Sequence, residues 1–87
     1  MQHRYAIVTV RIVGEETAYH VLRETQHATL KQHVLLQRLN DERTVHDLLE
    51  AVGKDFTTRR RAEAYVESMR GVVADRMYVT LAPRSDA

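Results

Sequence analysis

The chain has 87 residues, of which 44% are hydrophobic and 29% charged, with no cysteine and a formal net charge of +1 at pH 7. That length holds one hydrophobic core, and the composition excludes both a low-hydrophobicity disordered chain and a membrane protein. Without cysteine there is no disulfide framework, thiolate metal site or cysteine nucleophile, which accords with a single domain over residues 1–87 in a reducing, cytoplasmic setting.

Charge is spread unevenly: six basic residues meet seven acids through Gly53, and seven basic residues meet five acids beyond it. The near-neutral total argues against a protein coated in positive charge. A domain this small often buries leftover apolar surface against a second copy, so a homodimer is expected. The first apolar run, Tyr5 to Val13, is interrupted by Thr9 and Arg11 and is too short to span a bilayer. Neither export nor membrane insertion is expected.

Arg4 to Gly14 is rich in β-branched residues, and Ala6, Val8, Val10 and Ile12 share one face at period two, which predicts a strand ended by Gly14. The other face, Tyr5, Ile7, Thr9, Arg11 and Val13, is mixed, as on a strand partly covered or at an edge near solvent. Residues 15–27 read equally as helix or strand, because Glu15-Glu16-Thr17-Ala18 suits a first helical turn while Tyr19 to Thr25 could pair with the first strand. From Ala28 to Leu39 a helix is predicted, with Ala28, Lys31, Leu35 and Leu39 in one row and Leu30, Val34 and Leu36 widening the apolar surface.

Asn40 to Arg43 is polar and loop-like, and Thr44 with Asp47 three residues on resembles a capping box. Val45, Leu48, Leu49 and Val52 then recur at helical spacing, with Gly53 placed as a left-handed cap. After the loop Lys54-Asp55-Phe56, a third helix over Thr57 to Arg70 carries Ala62, Tyr65, Val66 and Met69 in one stripe and stops at Gly71. Val72 to Ala74 and Met77 to Leu81 read as strand, with Asp75-Arg76 between them as a poor hairpin turn, and Pro83 opens a polar tail. The fold class is α+β: an N-terminal strand, then helices, then a C-terminal strand or hairpin, with one small sheet.

Helix, short helix, helix and then strand or hairpin over residues 28–82, including Leu35-Leu36-Gln37-Arg38-Leu39-Asn40-Asp41-Glu42-Arg43-Thr44-Val45-His46-Asp47-Leu48-Leu49, resembles a winged-helix domain. That resemblance implies a third helix, Thr57 to Arg70, entering the DNA major groove and a wing formed by Val72 to Leu81. The same stretch is similar to peptide-recognition domains of the PqqD type, in which a leucine-rich helix runs into an Asp-Gly turn before Thr-Val. Asn40-Asp41-Glu42-Arg43-Thr44-Val45 departs from that turn by lacking the glycine. Domains of that type imply strands before the helices and a peptide added to a sheet edge.

Arg59-Arg60-Arg61 in the first turn of the third helix is the most pointed feature, because the positive end of the helix dipole disfavours clustered cations. A phosphate relieves that conflict, and exposed amides at the helix start add to the anion site. Set against this, Glu63, four residues after Arg59, and Glu67, three before Arg70, supply partners inside the same helix. Arg76 at a wing tip and Lys54 before the third helix offer further phosphate contacts, or are ordinary solvated charges.

His3, His20, His27, His33 and His46 lack zinc-ligand spacing. The chain has no glycine-rich phosphate loop and no nucleophile elbow, so neither a metal, a cofactor nor an enzymatic reaction is expected. The leading expectation is a homodimeric winged-helix-like transcriptional regulator whose Arg59, Arg60, Arg61, Arg76 and Lys54 contact the phosphates of duplex DNA. The alternative is a module that binds a protein or peptide at a sheet edge, drawn from the Tyr5 to Val13 strand. A helix over residues 15–27 favours the first and a strand the second.

Overall fold

The computed structural model describes residues 2–37, 42–52 and 54–83. Chain order is β1 (Arg4–Ile12), β2 (Ala18–Arg23), α1 (Glu24–Gln37), α2 (Glu42–Val52), β3 (Lys54–Phe56), α3 (Arg59–Ser68) and β4 (Val72–Leu81). The fold is α+β, with one four-stranded mixed sheet in the order β3-β2-β1-β4. β1 pairs antiparallel with β2 and parallel with β4, and β2 pairs antiparallel with β3.

The period-two pattern of Arg4 to Ile12 gives β1, and Gly14, at φ +83°, turns the chain back into β2. Residues 18–23 are therefore strand, and α1 begins directly at Glu24. The Gln26 side chain accepts from the Arg23 N–H (3.0 Å), the reach-back half of a capping box, and Glu24 puts negative charge in the first turn.

α1 turns a different side to the core from the row of Ala28, Lys31 and Leu35. Leu30 is fully buried, His27 is buried and Val34 half-buried, while Leu35 is exposed. Choosing the 27-30-34 side keeps the Lys31 ammonium in solvent, where burying it would carry a large desolvation cost. The expected end of this helix at Leu39, Asn40-Asp41 of the loop and the Gly53 cap lie outside the described residues. α2 begins at Glu42, so Thr44 sits inside its first turn instead of capping it; Glu, Arg and Thr carry the start three residues earlier. Its stripe packs as the spacing predicts, through Val45, Leu48 and Leu49.

Lys54 to Phe56 is a short edge strand, where a loop was expected. The segment β3–α3–β4 is then a parallel crossover that spans β2 and β1 and lays α3 over the face opposite α1 and α2. One core lies between the sheet and α1/α2: Val8, Val10, Leu22, Leu30, Val45, Leu49, Val79 and Leu81. The second lies under α3: Tyr5, Ile7, Val21, Ala62 and Val66. No helix among the described residues is long and apolar enough to cross a membrane.

Val72 to Leu81 is one continuous strand, not two strands joined at Asp75-Arg76. An extra residue between the Tyr5/Val73 and Ala6/Asp75 pairs forms a bulge at Ala74. The bulge shifts which residues face which helix and keeps Asp75-Arg76 within the ladder. Asp75 consequently faces α1, where Lys31 Nζ lies 2.8 Å from its carboxylate.

α3 ends in a Schellman motif. The Arg70 N–H donates to the Glu67 carbonyl (2.9 Å) and the Gly71 N–H to the Val66 carbonyl (3.0 Å), with Arg70 in the left-handed region at φ 56°. Glycine usually holds the left-handed position. Here it stands one residue later, because the Tyr5 ring occupies the space of a Cβ at position 71.

Candidate functional site

Strand register places residues of the α3 face in rows across the sheet. Lys54, Val21, Ile7 and Arg76 form one row, and Phe56, Tyr19, Thr9 and Tyr78 form the next. α3 covers the first row through Ala62 and Val66. Beyond it the face opens: Tyr78 is 66% exposed and Val13 62%, and Arg11 and Thr80, paired in the following row, are also exposed.

Thr58 caps α3, its hydroxyl accepting from the Arg61 N–H (3.2 Å). That leaves the N–H groups of Arg59 and Arg60 directed out of the helix start. Arg59, Arg60 and Arg61 are all exposed, and among the described residues none of the three guanidinium groups is in an ion pair. Glu63, expected as a partner for Arg59, instead meets Arg76 of β4 at 2.9 Å.

Arg76 is thus on the same side of the molecule as the arginine run, but inside a strand and partly neutralised, not at a hairpin tip. Lys54 lies on the other flank of α3, its Nζ 4.9 Å from the centre of the Tyr65 ring, which also packs against Phe56 at 5.3 Å. Arg61 lines a shallow cleft on that flank together with Glu16, Asp55 and Phe56. The structure therefore keeps Arg59, Arg60, Arg61 and Arg76 on the α3 side of the sheet, with Arg76 on the β4 flank and Arg61 on the flank it shares with Lys54.

Two members of this face escaped the sequence reading. Arg11 and Tyr78 belong to it through the alternations Ile7-Thr9-Arg11 and Arg76-Tyr78-Thr80. The alternation was legible, but which part of the face α3 would cover was not.

A second polar cluster lies on the α1 side. His27 is buried with its Nε2 3.5 Å from Asp75 and without a hydrogen bond. Burial, then the Lys31 charge, push its pKa below the usual histidine value, while Asp75 and Glu24 pull the other way. The hydrogen bond from Lys31, with one from the Arg76 N–H, holds the Asp75 carboxyl below its ordinary range. His20 is also lowered, chiefly by burial and against the pull of Asp55. His46 on α2 is buried, and its Nε2–H donates to the Ala82 carbonyl (3.1 Å), tying α2 to the end of β4. Among the described residues no three such side chains converge as metal ligands.

Comparison with protein-family models, curated proteins and solved structures finds no significant match to this chain.

Proposed function

We propose that this protein binds nucleic acid through its α3 face, with Arg59, Arg60, Arg61 and Arg76 contacting phosphates and Lys54 at the margin. The observation that carries the reading is the exposure of three unpaired guanidinium groups at a helix start, with Arg76 on the same side of the sheet. Cations gathered at the positive end of a helix dipole cost free energy, and a bound polyanion removes that cost. The outward side of α3 adds little base recognition, since Ala64 and Ser68 are short and Glu67 repels a phosphate. Contacts of this kind position a nucleic acid without reading its sequence.

The test is fluorescence anisotropy with labelled 20-residue oligonucleotides, duplex and single-stranded, between 50 and 200 mM salt. Three or four phosphate contacts on duplex DNA give a slope of log affinity on log salt of about −3 to −4. Replacing Arg59, Arg60 and Arg61 together by alanine should reduce that slope by about 3. Binding that ignores salt, or that survives the triple substitution, refutes the reading.

A second reading rests on a separate observation. β2 is a strand, the arrangement the peptide-binding alternative requires, and β4 is a ten-residue edge strand with no partner on its outer side among the described residues. An extended peptide could add there through main-chain hydrogen bonds. β1, from which that alternative was drawn, is central and already paired on both sides, so the edge belongs to β4. Loss of β4 amide exchange on adding a peptide would support this reading, and unchanged exchange would end it.

A further inference from the structure

From the open part of the α3 face we infer that the nucleic acid held by this domain is single-stranded, with a base stacked on Tyr78 and its backbone on the arginines at the start of α3. This deepens the proposed function and rests on it.

The geometry places the two elements side by side. The contact between Glu63 and Arg76 fixes the level at which α3 meets β4. From Arg76, Tyr78 lies two residues farther along the strand, about 6.6 Å. From Glu63, Arg59 lies four residues toward the helix start, about 6 Å. α3 runs back against β4, joined to it through Met69, Arg70 and Gly71, so both displacements point the same way. Arg59, on the same side of α3 as Glu63, therefore stands at the level of the exposed tyrosine.

The chemistry of the opening selects its occupant. Arg11 and Arg76, in the rows on either side of Tyr78, and Arg59, one turn before Glu63, stand around one exposed aromatic ring. The Glu63 carboxylate on this side of α3 is engaged by Arg76. Thr9, in the Tyr78 row, supplies a hydroxyl without charge. Aromatic rings with cations about them hold single strands because every base has a stacking face, whereas a base inside a duplex offers none.

The test uses the full chain, with labelled oligothymidine and oligouridine of 20 residues and a 20-base-pair duplex, and three proteins: the native chain, Tyr78→Ala and Tyr78→Phe. Both single strands should bind more tightly than the duplex. Tyr78→Ala should weaken them about tenfold and change duplex binding less than twofold, and Tyr78→Phe should retain native affinity. Tyr78 is mostly exposed, so its removal leaves the cores intact. Salt-sensitive, arginine-dependent binding that is tighter for duplex or indifferent to Tyr78→Ala overturns this inference and leaves the proposed function standing. Failure of all three nucleic acids overturns both. A dimer that Tyr78→Ala converts to monomer, with no oligonucleotide bound, assigns the face to a second copy and likewise overturns both.

Discussion

Gly71→Ala probes the device that fixes α3 over the sheet. A Cβ at position 71 would fall 2.4 Å from Tyr5 Cε2 and 2.5 Å from Cδ2, with the His3 carbonyl oxygen at 3.1 Å. Ordinary carbon contacts need about 3.5 to 4 Å, so the ring must retreat by more than 1 Å. It has little room to do so. Tyr5 is only 5% exposed and packs with Ile7, Val21, Ala62 and Val66.

Forcing a methyl into such a core costs about 1–3 kcal/mol, and the absence of slack around Tyr5 puts the expected loss near 2 kcal/mol. For a domain of this size that lowers the melting temperature by about 10 °C. The neighbouring substitution runs the other way: Arg70→Gly relieves a left-handed residue and should stabilise by up to about 1 kcal/mol. Thermal and urea unfolding followed by circular dichroism measure both. A Gly71→Ala protein as stable as the native chain, or an Arg70→Gly protein less stable, would refute the packing argument.

Leu30→Ala empties a fully buried site between α1 and the sheet and should cost about 3 kcal/mol in urea unfolding. A loss below 1 kcal/mol would mean that α1 does not seal that core. His20 and His27 are held below their ordinary value, so below about pH 6.5 the unfolded chain takes up protons that the folded chain resists. Their contribution is fully present above that pH and is lost as pH falls, so the melting temperature should be lower at pH 5.5 than at pH 7.5. His20→Gln with His27→Gln should flatten that dependence, and an unchanged slope would assign it to other groups.

Much of the fold was legible because single-element patterns carry it. The period-two face of β1 and the stripe of α2 each name a core side that the structure uses. Ala62 and Val66 anchor α3 as their spacing predicts, although Met69 at the cap stays exposed. Residues 15–27 defied periodicity because Tyr19 and His20 are half-buried on a strand beside a three-residue edge strand. β4 was obscured by its bulge, which breaks the alternation at Ala74 and mimics a turn at Asp75-Arg76.

Pairing partners were beyond reach, so neither the central place of β1 nor the edge position of β4 could be read from one strand's own residues. The candidate site was half legible. The arginine run declares itself in one dimension, but Arg11 and Tyr78 join it only once the sheet is assembled and α3 has covered part of one face.

The most direct measurement is backbone amide mapping by NMR during titration with a single-stranded oligonucleotide. Shifts are expected at Thr9, Arg11, Arg59, Arg60, Arg61, Tyr78 and Thr80, with Ala28, Lys31 and Leu48 on the opposite side unmoved. Shifts confined to that opposite side, or none at saturating oligonucleotide, would contradict the assignment of the α3 face.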